Sequence, residues 1–291
     1  MSAERHIDDV TGIETTGHVW DEDLRELNKP LPKWWLYTFY ACIVWAIGYW
    51  VLYPAFPLSN DYTRGILGYS QRAVVSADVA AGKAAQSEMR ALLDKTPLED
   101  VAKNADLKRF ATVGGAAAFA TNCAPCHGRG AQGFAGYPNL NDDDWLWGGK
   151  ISDVQFTILH GIRQGTADSR AMDMPRFGID GALTPEQIAD AAEFVQSLSG
   201  HSTDKDAAAR GQTIFAEQCA ACHGETGKGN QEMGAPNLSD AIWLYGGEKA
   251  AIMESIRTGR GGKMPAWGAR LDPTTIKSLA VYVHGLGGGV K

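Results

Sequence analysis

The strongest constraint on this chain is a segment that occurs twice. Phe119-Ala-Thr-Asn-Cys-Ala-Pro-Cys-His-Gly128 matches Phe215-Ala-Glu-Gln-Cys-Ala-Ala-Cys-His-Gly224 at an offset of 96. The correspondence continues in order. Pro138-Asn139-Leu140 and Trp145-Leu146 pair with Pro236-Asn237-Leu238 and Trp243-Leu244 at 98. Ile162-Arg163 and Gly165 pair with Ile256-Arg257 and Gly259 at 94. Met174-Pro175 and Gly178 pair with Met264-Pro265 and Gly268 at 90, and Leu183 and Pro185 with Leu271 and Pro273 at 88. Chance does not preserve such an order, so the C-terminal part holds two copies of one domain of about 90 residues.

Each copy reads as helical with long Gly-rich loops. One helix ends at the Cys-Cys-His motif, and a second covers Asp153–Gly161 or Lys249–Gly259. A last helix starts at Thr184 or Asp272, each a side-chain N-cap followed by Pro at the first helical position. Ile188, Ala192, Val195 and Leu198 recur at helical spacing, as do Ile276, Leu279, Val283 and Leu286.

Cys123-x-x-Cys126-His127 and Cys219-x-x-Cys222-His223 fit covalent attachment of c-type haem. Cysteines at i and i+3 share one face of a helical turn and reach two vinyl groups of one porphyrin. The adjacent histidine then presents its imidazole to the iron. A lone Cys-x-x-Cys fits zinc or thiol–disulfide exchange as well, but the histidine and the duplication point to two covalently bound haem c groups. The sixth iron ligand has to come from downstream, and Met174 and Met264 are the repeat-matched candidates, 47 and 41 residues after their histidines. A thioether raises the haem potential, which suits an electron carrier. The metal ligands expected are thus His127, Met174, His223 and Met264. Either each methionine serves its own copy or the two are crossed between copies. Met172 is the rival of Met174, while Met233 and Met253 read as packing residues.

Other polar positions have less specific readings. His6, His18, His160, His201 and His284 lack a motif and read as solvated or structural. The carbonyls of Pro138 and Pro236 could fix the tautomers of the haem histidines. Trp145 and Trp243 could wall the haems or simply pack in the core, and Arg163 and Arg257 could pair with propionates or be plain surface residues. No phosphate-cradling loop or dinucleotide fingerprint is present. Two six-coordinate irons leave no open position for a small substrate, so no catalytic residue is expected and any bond-making belongs to a partner.

Upstream, no charged residue occurs between Lys33 and Asp61. Residues 34–56 are long enough to cross a hydrocarbon layer of about 30 Å. Trp34, Trp35 and Tyr37 at one end and Tyr49, Trp50 and Tyr53 at the other suit two interfacial belts. Pro54 and Pro57 should end the helix. Cys42 in the middle reads as a small packing residue. The 33 preceding residues carry eight acids and four bases, unlike the short basic start of a signal peptide. The near flanks hold Arg25, Lys29 and Lys33 against Arg64 and Arg72, a slight lean towards an internal N-terminus. Net charge is −7 with a pI near 5.5, which argues against nucleic acid as a partner. The organisation expected is 1–33 as a cytoplasmic segment, 34–56 as a transmembrane helix, 57–113 as a connector helical around Ala77–Leu93 and Leu98–Phe110, and haem domains at 114–201 and 202–291.

The chain resembles the dihaem subunit of cbb3-type cytochrome c oxidases, the FixP/CcoP family. The residues that carry the likeness are His18-Val-Trp-Asp-Glu-Asp-Leu-Arg-Glu-Leu-Asn28, Pro30-Leu-Pro-Lys-Trp-Trp35, Gly48-Tyr49, Tyr53-Pro54, Gly136-Tyr-Pro-Asn-Leu140 and Asp144-Trp-Leu-Trp-Gly-Gly149. The resemblance implies a mainly α fold, with a single N-terminal transmembrane helix followed by two tandem class I-like cytochrome c domains. It implies attachment in a bacterial inner membrane with the haem domains in the periplasm. It implies electron entry from a periplasmic cytochrome c and delivery to the monohaem subunit and the haem–copper catalytic subunit of a proton-translocating oxidase. By itself the chain would be no enzyme. The competing expectations are a free-standing membrane-anchored dihaem shuttle and a dihaem peroxidase. The peroxidase needs a releasable sixth ligand, against which the two matched methionines argue.

Overall fold

The computed structural model describes residues 6–22 and 24–289. Residues 1–5, 23, 290 and 291 lie outside the described residues; they include Asp23 of the acidic preamble, the first five residues of the expected segment 1–33 and the last two of 202–291. The chain divides into two compact units, Met1–Ala84 and Ala85–Lys291.

The first unit opens with a hairpin that the sequence reading did not assign. Strand β1 (Thr15–Trp20) pairs antiparallel with β2 (Leu24–Leu27), bringing Trp20 opposite Leu24 and Val19 opposite Arg25. Asp21 and Glu22 turn the chain with φ of 47° and 71°; Asp is one of the residue types enriched in this conformation. Helix α1 (Lys33–Leu52) follows, with Trp34 and Trp45 among its many exposed apolar side chains. At about 1.5 Å per residue its 20 residues span about 30 Å. It stops four residues before the expected end at Phe56. Pro54 disfavours helix at the residue before it, and Tyr53 is extended at φ −119°, ψ 163°. The chain then doubles back, and Ile66 N and Leu67 N donate to the carbonyls of Val51 and Leu52 at 2.9 and 3.1 Å. Two carbonyls that a helix end leaves unpaired are thereby satisfied. Helix α2 (Gln71–Ala85) runs to the end of this unit.

The second unit begins with α3 (Ser87–Lys95) and a 3₁₀ turn at Leu98–Lys103. Two sets of four helices follow. The first is α4 (Ala105–Asn122), α5 (Ala124–His127), α6 (Ile151–His160) and α7 (Pro185–Leu198). The second is α8 (Lys205–Gln218), α9 (Ala220–His223), α10 (Lys249–Thr258) and α11 (Pro273–His284). Caps explain the starts. Asn104 accepts from Leu107 N, and Asp204 accepts from Asp206 N and Ala207 N. The expected caps act as such: Thr184 forms a reciprocal capping box with Gln187, and Asp272 accepts from Thr275 N. The line drawn at 113/114 falls inside α4, because Asn104 starts that helix and nothing interrupts it before Cys123.

The packing exchanges helices between the repeats. Helix α4 of the first copy packs on α11 of the second, and α8 of the second copy packs on α7 of the first. Body one gathers Leu107, Ala111 and Phe119 of α4, Ile158 of α6, and Ile276 and Leu279 of α11. Body two gathers Ile188, Ala192 and Val195 of α7, Phe215 of α8, and Ile252 and Ile256 of α10. Segments 114–201 and 202–291 are repeats in sequence but not units of packing. Glycine permits both exchanged contacts. A Cβ on Gly115 would run into the carbonyl of Ser278 in α11, and one on Gly211 into the carbonyl of Asp190 in α7. Glu193, fully buried in α7, secures the link between the repeats. It accepts from Thr203 N at 2.6 Å, Asp204 N at 2.9 Å and Lys249 Nζ at 2.6 Å. The lysine, opposing the effect of burial, holds its carboxyl down to about 2.

Candidate cofactor site

Both Cys-Cys-His motifs are built by the same local rule. Helix α4 ends at Asn122, and the carbonyl of Cys123 accepts from Cys126 N at 3.1 Å and His127 N at 2.9 Å. Cys219 does the same for Cys222 and His223 at 3.1 and 2.9 Å. The two cysteines and the histidine of each motif therefore share one turn. Gly128 and Gly224, with φ of 82° and 76°, then redirect the chain into the loop that bears Pro-Asn-Leu. A carbonyl only accepts, so the 3.0 Å contacts of His127 Nδ1 with Pro138 O and of His223 Nδ1 with Pro236 O place the proton on Nδ1. Each Nε2 keeps its lone pair. Burial lowers the pKa of both histidines and outweighs the carbonyl bonds. Burial, with the neighbouring cysteine second, pushes Cys123 and Cys219 up to about 11.

Both motifs open into one cleft of about 2000 Å³, counting the space open to solvent. Met174 and Met264 line it too. The exchange of helices governs where each methionine lies. Ile162 N donates to Met264 O at 2.9 Å and Met264 N to Ile162 O at 3.1 Å, so Met264 is bound into body one against Gly161 at the end of α6. Met174 rests its carbonyl against Gly259 at the end of α10 and packs in body two, the body that also holds Cys219. Met264 thus shares a body with the first motif and Met174 with the second.

Some expected neighbours of the cleft are elsewhere. Trp145 packs into body one and donates from Nε1 to Gly288 O at 2.5 Å; Trp147, not Trp145, lines the cleft beside Trp243. Arg257 lies within α10 and pairs with Glu254 at 2.7 Å. Arg163 lies beyond α6, so the two arginines are not equivalent. The helix ends Gly161 and Gly259 correspond at an offset of 98, which places Gly261 opposite Arg163 in the repeat. Met233 lines the cleft, while Met253 packs into body two as expected. Met172 is exposed. Among the described residues, His127 and His223 are the histidines on the cleft; the rings of His160 and Phe156 meet at a tilt of 43°, and His201 contacts Ser199.

The family described as the N-terminal domain of cytochrome oxidase-cbb3, FixP, matches residues 12–60. Cytochrome c matches residues 113–199, and cytochrome c oxidase, cbb3-type, subunit III matches 206–283. The chain is 54% identical over 284 residues to the cbb3-type cytochrome c oxidase subunit FixP of Azorhizobium caulinodans, covering 97% of this chain and 96% of the relative. It is 53% identical over 294 residues to subunit CcoP of Azospirillum brasilense, covering 99% of each. To CcoP of Cereibacter sphaeroides it is 53% identical over 276 residues, covering 94% and 95%. The chain belongs to the FixP/CcoP family of cbb3-type oxidase subunits. Cytochrome c domains of this family carry haem c, and the cleft suits that group. Each motif pairs two thiols on one turn with an imidazole whose Nε2 is free to ligate, and a thioether lies in the same body. The cytochrome c match at 113–199 and the subunit III match at 206–283 follow the sequence repeats, whereas the bodies that enclose the motifs are formed across them.

Proposed function

We propose that the chain is the dihaem electron-entry subunit of a cbb3-type cytochrome c oxidase, with two haem c groups bound in one shared cleft. Cys123 and Cys126 would anchor one haem and Cys219 and Cys222 the other, with His127 and His223 as proximal ligands. Met264 would complete the first site and Met174 the second, so the ligands would be crossed between the sequence repeats. The observation that carries this reading is the exchange of α7 and α11, which takes each methionine into the body of the other repeat's motif.

Bound haem supplies reversible one-electron transfer between ferric and ferrous iron. The chain's own residues do the rest. Pro138 O and Pro236 O hold the imidazoles in the ligating tautomer. The apolar walls, Phe215 and Ile256 among them, would limit water at a bound haem. Both motifs face one cleft, which favours passage of an electron from one centre to the other. Helix α1 anchors the chain in the inner membrane, with the haem domains in the periplasm and residues 1–33 in the cytoplasm. A periplasmic cytochrome c is the donor. The monohaem subunit and the haem–copper catalytic subunit, which reduces O₂ and moves protons, are the acceptors. The chain performs no bond-making itself.

The test is purification in mild detergent through a tag on this chain, followed by assays for oxygen uptake with reduced cytochrome c and for b-type haem and copper. Their joint recovery is expected. Recovery of the chain alone, with two c haems and no oxygen uptake, would support a free-standing shuttle instead.

A further inference from the structure

Arg163 lines the cleft but its guanidinium is already committed. Nε donates to Asp173 Oδ1 at 2.7 Å, Nη2 to Met172 O at 2.6 Å and Nη1 to Gly262 O at 2.9 Å. The first two acceptors immediately precede Met174, and the third lies two residues before Met264. One side chain thus grips both loops that deliver a methionine to the cleft. Its own side chain is only 15% exposed. Its backbone is in the left-handed region at φ 55°, a conformation that disfavours any residue with a Cβ. The repeat equivalent, Gly261, faces it: a Cβ there would lie 3.0 Å from Arg163 Nε. The two equivalent positions face each other, and a long side chain at one leaves little room for a side chain at the other. The planar fork suits the task, because its donors diverge in fixed directions towards acceptors on separate segments.

We propose that Arg163 is a positioning residue that ties the two methionine loops together, so that a single side chain sets the sulfur–iron geometry of both haems. This rests on Met174 and Met264 being the axial ligands, but not on which haem each one serves. A cation near the haems would also raise both potentials by charge alone. Lysine separates the two effects, since it keeps the charge and cannot reproduce three divergent bonds.

The experiment uses the full-length, haem-loaded chain in detergent. Its readouts are the charge-transfer absorption of methionine-ligated ferric haem, the midpoint potential of each haem, and hydrogen exchange of residues 164–174 and 260–264. Met174→His and Met264→His are each expected to remove about half of that absorption; retention of all of it in both would overturn the ligand reading itself. Arg163→Lys and Arg163→Gln are expected to weaken the absorption and lower the midpoint at both haems, and to speed exchange in both loops together. Wild-type behaviour of the lysine variant would reduce the role of Arg163 to its charge. Perturbation of a single haem would reduce it to a clamp on one loop. Should the Arg163 variants fail to retain haem, Asp173→Ala removes one exposed acceptor only. Faster exchange in both loops is expected of it, and exchange confined to 164–174 would refute the tie.

Discussion

The chemistry at the scale of single residues is set by what each side chain is paired with. If Met264 and Met174 ligate the irons as proposed, their loss is read most directly as potential. Replacing either with alanine should lower the midpoint of one haem by about 0.1 V or more, because axial ligands tune haem potential over a far wider range. Potentiometric titration of the purified chain checks this, and unchanged midpoints in both variants would remove them as ligands. Asp144 offers a test of opposite character. Burial, aided by Asp240, Asp142 and Asp143, pushes its carboxyl up to about 6 from 3.8. A carboxyl whose folded pKa exceeds its unfolded value favours the folded state only when protonated. Its charge therefore weakens the fold above pH 6, and that penalty fades as pH falls towards 4. Asp144→Asn should raise the melting temperature at pH 7 and leave it unchanged near pH 4. An equal gain at both pH values would mean that the effect is not electrostatic.

At the scale of elements, the contacts that decide the architecture are α4 on α11 and α8 on α7. Each depends on a glycine that lets a helix touch the backbone of its partner, Gly115 at Ser278 and Gly211 at Asp190. Alanine at either site forces the helices apart, and overpacking of this kind costs about 1–3 kcal/mol. Gly114→Ala serves as the control, since a Cβ there meets only Ser278 side-chain atoms, the nearest at 3.7 Å. Denaturant unfolding should rank Gly115→Ala and Gly211→Ala well below Gly114→Ala; equal stability of the three would refute the close approach. The hairpin β1–β2 is an element of another kind. It exposes Val19, Trp20 and Leu24, and its residues fall within the family match at 12–60. Deleting residues 18–28 should weaken co-purification of the other oxidase subunits while leaving haem content intact, as haem staining of the membrane fraction would show.

At the scale of the whole molecule, the exchange makes one folding unit of two sequence repeats. Body two runs continuously from the Met174 loop through α10, and body one is closed only when α11 returns to α4. A chain ending at residue 201 keeps the first motif but loses α11 and Met264. It should fail to hold a six-coordinate haem, as the absence of methionine-ligated ferric absorption would reveal. A chain beginning at Ala85 keeps the second unit intact and lacks α1. It should be water-soluble with both haems and melt in a single transition. Two separate transitions would mean that the bodies fold independently despite their shared helices.

What the sequence determined was local. The Cys-x-x-Cys-His spacing, the caps at Thr184 and Asp272, the uncharged run closed by Pro54 and the ordered repeat are all properties of neighbours along the chain. Short-range geometry is enough to read them. The carbonyls of Pro138 and Pro236 were also legible, because each lies in a short loop that returns to its own histidine. The offset of 94 that paired Arg163 with Arg257 misled for the same reason: chain matching rewards similar letters, whereas the helix ends Gly161 and Gly259 show the true correspondence at 98. Only the tertiary structure decided which α4 and α8 neighbours would be chosen. The two repeats present nearly equivalent apolar faces, so α4 could pack on α7 or α11 at similar gain in buried surface. No local signal distinguishes the two. The choice is made by Glu193 fastening the link at Thr203 and Asp204, and by Arg163 holding loops from both repeats. These contacts join residues far apart in the chain, and they exist only once the fold has formed.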